Sequence, residues 1–200
     1  MQAARNRIGG LGNLMFKEAF LIGQVLDGVL PDTYLQQYSR WWTHSPEIRA
    51  TFMEGITPGS IDKVSLHIRR GDYLKAKHFY VDLTETDYYQ KAVNCFDKDE
   101  QFLVFCKDNQ GWEQDKADRQ WCRDFLDTFI PGRYELVNKD NKEEEDLNLM
   151  ASCKAHIGAN SSFSWWAAFL GGGKTIMPKQ WFHEGVLARE VELLPEWVKL

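Results

Sequence analysis

Long apolar runs are missing from this 200-residue chain. No window approaches 18 uninterrupted apolar residues, so no membrane-spanning helix is expected. The opening residues Met1–Arg7 lack the apolar stretch of a secretory leader, and a cytoplasmic location is the expectation. Basic excess is missing too. The 24 Lys and Arg are outnumbered by 29 Asp and Glu, leaving a net charge of −5. Without a Lys/Arg-rich run, nucleic acid is not expected as a partner. Cysteine is sparse: Cys95, Cys106, Cys122 and Cys153 form no C-x-x-C pair, and no His lies at zinc-finger spacing from them. A structural metal is therefore not expected, and free thiols are. Repeats and low-complexity tracts are also lacking.

Aromatic residues, by contrast, are abundant. Phe, Trp and Tyr make up 14% of the chain, with eight Trp. Two uses are open to them: a ring face packed on the C–H groups of a sugar, or a Trp-rich core. The pattern along the chain predicts alternating strands and helices from residue 63 onward. Lys63–Arg69 alternates, with Val64, Leu66 and Ile68 on one face and Ser65, His67 and Arg69 on the other. Apolar runs at 101–106, 134–137, 156–158 and 174–177 suit buried parallel strands. Helical patterns cover 13–26, with Asn13 as N-cap, then 47–52, 84–96, 115–129, 146–153, 163–170 and 188–194. Such alternation implies a parallel sheet with helices on its faces.

Three turns in this pattern can hold an anion. The first is His67-Ile68-Arg69-Arg70-Gly71-Asp72-Tyr73, at the carboxyl end of a strand, where ligands of parallel α/β sheets sit. A guanidinium offers planar, bidentate recognition of phosphate. Asp72 can orient an arginine or act as a base. By itself, R-R-G-D also fits a surface turn with an Arg–Asp pair. The second is Asn160-Ser161-Ser162, ahead of a helix whose N-terminal N–H groups attract anions. A simple cap explains that stretch equally well. The third is Gly9-Gly10-Leu11-Gly12-Asn13, which fits neither G-x-G-x-x-G nor a phosphate-binding P-loop. Together the three point to a phosphate-bearing ligand.

These residues resemble the α-1,2-fucosyltransferase family. His67–Tyr73 resembles its H-x-R-R-G-D-Y signature, and Gly9–Phe16 its G-G-L-G-N-Q-M-F, with Leu14 in place of Gln. Phe105-Cys106-Lys107-Asp108, Asp146–Leu170 and Met177–Phe182 resemble three further motifs, in the family's order. The resemblance implies a GT-B-like fold of two Rossmann-like halves. Residues 1–60 would be a shortened, acceptor-side N-terminal part, and residues 61–200 a Rossmann-like domain binding the GDP-sugar. It implies inverting, metal-independent transfer of L-fucose from GDP-L-fucose, a substrate rather than a cofactor, to a galactose 2-hydroxyl of a glycan acceptor. A binding module or inactive remnant, or a transferase using another nucleotide sugar, is the alternative. Carried over by position, Arg69 and Arg70 fall on the family's arginine pair, at least one holding the β-phosphate. His67, Asn160, Ser161, Ser162 and Phe163 are expected to line the same pocket. Asp108 would approach the nucleoside, and Gly10 and Asn13 would border the cleft. Asp72 is the candidate base, with Glu18 behind it.

Overall fold

The computed structural model describes residues 11–27, 42–106, 112–138, 140–185 and 191–200. Six strands form one sheet: β1 Ile61–His67, β2 Phe102–Phe105, β3 Tyr134–Leu136, β4 Cys153–Ile157, β5 Lys174–Met177 and β6 Val198–Lys199. All pairings are parallel, and the lateral order is β3-β2-β1-β4-β5-β6. The order runs outward from β1 to β3, then reverses to the other side at β4. The crevice between the carboxyl ends of β1 and β4 is therefore the switch point, where doubly wound sheets take their ligands.

Helices cover both faces. Strand side chains alternate, and each face meets a separate apolar cluster. Val64, Leu66, Ile68, Phe102 and Val104 pack with α4 (Tyr88–Val93) and α5 (Trp112–Asp127) through Tyr89, Ala92, Cys122 and Leu126. Leu103, Phe105 and Met177 face α1 (Leu11–Asp27), α2 (Ser45–Phe52), α6 (Glu143–Ser152) and α7 (Ser162–Gly171). α1 and α2 come from the stretch expected to be the acceptor-side part. Their Met15, Phe16, Ala19 and Ile48 share one cluster with α6 and α7.

Four of the eight tryptophans settle into this second cluster. Trp165 and Trp166 are fully buried, and Trp181 and Trp197 nearly so. Trp165 lies 4.7 Å from Phe16, 5.3 Å from Phe169 and 5.4 Å from Trp197, centroid to centroid. Burying an aromatic side chain of this size contributes roughly 2–3 kcal/mol. The core, not a sugar platform, takes these four rings.

Several boundaries differ from the sequence expectation. α6 starts at Glu143 rather than 146, because the Glu145 carboxylate accepts from the Lys142 backbone N–H at 2.6 Å. Four acidic residues then fill its first turn, where the helix dipole favours them. The helix expected from Thr84 or Thr86 divides into two pieces. Asp82 caps a 3₁₀ turn over Leu83–Glu85, and α4 starts separately after Asp87. Residues 191–194, expected to end a last helix, are not helical, and 188–190 lie outside the described residues. Asn13 lies inside α1 rather than at its cap.

The free-thiol expectation holds for two cysteines only. Cys106, just past β2, is disulfide-bonded to Cys122 on α5, while Cys95 and Cys153 are free. Residue counts cannot show this pairing; it follows from α5 folding back beside the end of β2. Among the described residues, no helix is long and apolar enough to cross a membrane.

Candidate functional site

β1 delivers His67 to the switch point. The alternation that buries Val64 and Leu66 on one face turns His67 to the other, toward α7. Its ring lies 5.9 Å from that of Phe163 in the first turn of α7. His67 is only 6% exposed, and among the described residues its Nδ1 has no hydrogen-bond partner. Burial, with the Arg69 charge added, pushes its pKa down to about 3. The imidazole is therefore neutral at physiological pH and offers hydrogen bonding without charge.

Beyond β1 the chain reverses at Gly71, whose φ of 62° suits glycine. The short helix α3 (Asp72–Lys75) follows. Arg69 lies over the Tyr73 ring, 5.0 Å from its centroid. It lines a narrow cleft with Tyr73, Leu74, Tyr80, Val81 and Asp82. Tyr80 stacks on Tyr73 at 3.9 Å. Arg70 points elsewhere. Its Nε donates to Asp118 Oδ1 at 2.9 Å, and its guanidinium sits 3.7 Å over the Trp121 ring. Continued one residue past Arg69, the alternation of β1 starts Arg70 on the opposite face, and it goes there, into α5.

Across the crevice, the turn after β4 leads into α7. Ser161 caps this helix: its hydroxyl accepts from the Phe163 N–H at 3.3 Å. First-turn N–H groups have no acceptor within a helix, which gives this end a partial positive charge. The first described turn of α1 meets the same place. A Cβ added at Gly12 would lie 2.6 Å from the Phe163 nitrogen, so only glycine permits the approach. The Ser162 hydroxyl donates to Asn13 Oδ1 at 3.0 Å, joining the two helix starts.

Asn160 is 2% exposed and holds three segments together. Its Nδ2 donates to the carbonyls of Val81 at 2.8 Å and Trp181 at 3.1 Å. Its own carbonyl accepts from the Tyr73 hydroxyl at 2.9 Å. The Asn160 amide is thus engaged within the protein.

The fold brings His67, Asn160, Ser161, Ser162, Phe163 and Asn13 to one crevice, sets Arg69 in the adjoining cleft over Tyr73, whose hydroxyl bonds the Asn160 carbonyl, and turns Arg70 away. Gly10, Asp108 and the Asp72 side chain lie outside the described residues. Glu18 is exposed on α1. The one D-x-D sequence in the chain, Asp97-Lys98-Asp99, precedes β2 with exposed side chains, at the sheet edge opposite the crevice. Among the described residues, no three His, Cys, Asp or Glu side chains group as metal ligands would. Sequence reasoning missed Asp118, Trp121, Tyr80 and Asp82. None stands in a motif, and only the i, i+3 spacing of Asp118 and Trp121 marks one helix face.

A parallel sheet with a reversal of strand order, and a crevice walled by a helix N-terminus at that reversal, defines the doubly wound class of α/β proteins. The signature of glycosyl transferase family 11 matches residues 44–200, and the chain belongs to this family. It is 32% identical over 127 residues to the O-antigen biosynthesis glycosyltransferase WbnK of Escherichia coli, covering 59% of this chain and 38% of that one. It is 33% identical over 147 residues to an alpha-1,2-colitosyltransferase of E. coli, covering 70% and 48%. To galactoside alpha-(1,2)-fucosyltransferase 1 of Bos taurus it is 29% identical over 147 residues, covering 68% and 38%. The matched stretch thus spans less than half the length of each of these relatives.

Proposed function

We propose that this chain carries the donor site of an inverting, metal-independent α-1,2-glycosyltransferase of GT-B type, moving L-fucose from GDP-L-fucose to the 2-hydroxyl of a galactoside. One observation carries this reading: neutral His67 meets the N-terminus of α7 at the switch point, with Arg69 in the adjoining cleft over Tyr73. In the reaction the bond from sugar C1 to the β-phosphate oxygen breaks, and its electron pair stays on GDP. The acceptor oxygen bonds C1 from the opposite side, and its proton passes to a base. Negative charge grows on the diphosphate as this happens. A guanidinium and helix N–H groups held in place stabilise it without reorganising. Asp72, in the turn after Arg69, is the proposed base. The acceptor-side assignment of residues 1–60 belongs to the same reading.

A relative named for colitose transfer makes GDP-colitose the second donor to try. The test is a thermal-shift panel of GDP, GDP-fucose, GDP-colitose and UDP-sugars. At a hundred times its dissociation constant, the true donor stabilises the protein by about 2.7 kcal/mol. Stabilisation by UDP-sugars but not by GDP compounds would sink the donor assignment. For the base, Asp72→Asn is expected to bind GDP normally and to lose transfer activity.

A further inference from the structure

The turn after β1 carries two adjacent arginines that leave it in opposite directions. Arg69 lines the cleft beside Tyr73 and Tyr80. Arg70 is held by α5, through its bond to Asp118 and its place over Trp121. The pair is sequestered: the Arg70 and Asp118 side chains are 14% and 2% exposed. Asp118 and Trp121 present one face of α5, one helical turn apart. Trp121 stacks on Phe125 at 4.9 Å, and neighbouring Cys122 is bonded to Cys106 beside β2. The side that holds Arg70 is therefore fixed by packing and by a covalent link. The turn itself closes through the Leu74 N–H to the Gly71 carbonyl at 3.1 Å and the Tyr73 N–H to the Arg70 carbonyl at 3.2 Å.

We propose that Arg70, Asp118 and Trp121 form a pin that docks this turn on α5 and so aims Arg69 into the crevice. Arg70 and Asp118 are positioning residues, and of the two arginines Arg69 is the one that meets the diphosphate. This rests on the crevice being the donor site. The physical basis is local. Fixing the side chain of residue 70 against a rigid helix fixes the main chain on which residue 69 stands. A buried ion pair can be replaced by apolar residues of similar volume with little loss, whereas removing one partner strands a buried charge.

That asymmetry supplies the test. GDP binding is measured by calorimetry, and amide exchange over residues 68–74 by mass spectrometry, for wild type, Arg70→Met, Asp118→Leu and the double variant. Each single variant is expected to weaken GDP binding tenfold or more and to speed exchange in the turn. The double variant is expected to return within threefold of wild type, with normal exchange. A double variant that binds GDP no better than Arg70→Met would put Arg70 on the diphosphate and overturn the proposal. Single variants with lower melting temperatures but unchanged GDP affinity would overturn it too, leaving a purely stabilising role. Should a single variant fail to fold, Arg70→Gln and Asp118→Asn replace the set with the same outcomes. Wild type failing to bind GDP would refute the donor-site reading instead. The exchange data would then decide the pin, which falls if the double variant does not restore the turn.

Discussion

The two turns that flank the crevice are built on opposite plans. After β4, almost every polar group is spent inside the protein. Tyr88 donates its hydroxyl to the Gly158 carbonyl at 2.7 Å, the Ser164 hydroxyl accepts from the Ala159 N–H at 3.1 Å, and Asn160 joins three segments. After β1, the main chain is braced but side chains are presented. The Ile68 N–H continues the ladder to the Phe105 carbonyl at 2.9 Å, and Tyr89 donates to the His67 carbonyl at 3.0 Å. Yet His67 Nδ1 has no partner among the described residues, and Arg69 faces the cleft. One turn makes a wall and the other supplies groups for a ligand. The shared wall explains how polar residues stay aimed: buried polar groups that are fully satisfied are rigid.

The largest expected effect separates wall from presented groups. Asn160→Ala removes the side-chain donor to the Val81 carbonyl and one of two donors to the Trp181 carbonyl, which keeps the Val81 N–H at 3.2 Å. Stranding the Val81 carbonyl costs about 1–3 kcal/mol and the lost bond to Trp181 about 1 kcal/mol, so a loss of about 3 kcal/mol is expected in urea unfolding. Arg69→Ala removes a half-buried side chain whose contact with Tyr73 is worth about 1 kcal/mol, and is expected to abolish GDP binding at a smaller cost in stability. Equal stability losses in the two variants would erase the distinction between the turns.

Much of this division was legible in the sequence. β5 was expected at 174–177 and forms there, because a short apolar run ends at Pro178. Alternation along β1 assigned His67 and Arg69 to one face and Arg70 to the other. What was not legible depends on lateral order and on distance in the chain. Periodicity describes a strand but not its neighbours, so the β1/β4 reversal had no signal. β6 is two exposed residues, too short for any pattern. Asp118 lies 48 residues from Arg70, and nothing in its local sequence sets it apart from a solvated helix face. Asn160 read as one donor in an anion-binding turn, because its carbonyl partners at Val81 and Trp181 come from distant segments.

The turn after β1 leans on α5, so what holds α5 matters next. The Cys106–Cys122 bond closes a loop with a sequence separation of 16. Loop-closure entropy for that length predicts about 3 kcal/mol of stabilisation. Reductant, or the double Cys→Ser variant, is expected to lower the urea midpoint accordingly. An unchanged midpoint would show that packing alone secures α5.

Protonation gives a smaller, graded perturbation. Burial depresses the pKa of His67 to about 3 and that of His156 to about 4. The unfolded chain takes up a proton on each near pH 6.5, while the folded chain does not. Stability is therefore full above pH 6.5 and falls as pH drops toward the folded values. The slope is about 1.4 kcal/mol per pH unit for each histidine. His156, bonded through Nδ1 to the Ser65 hydroxyl at 2.8 Å, sits away from the crevice. His156→Gln is expected to halve the slope measured between pH 5 and 6.5. A slope unchanged in that variant would assign the titration to other groups.

The smallest expected effect probes a side-chain bond that joins the two turns directly, from the Tyr73 hydroxyl to the Asn160 carbonyl at 2.9 Å. Tyr73→Phe keeps the ring, its stack on Tyr80 and its face toward Arg69. It removes only the hydroxyl, so a loss of about 1 kcal/mol is expected. Its effect on GDP affinity tells which turn sets the geometry of the crevice. If the wall is rigid through Asn160 and the β1 turn is fixed separately by α5, affinity changes less than twofold. A loss of tenfold or more would mean that Arg69 takes its bearing from the wall, through Tyr73, rather than from α5.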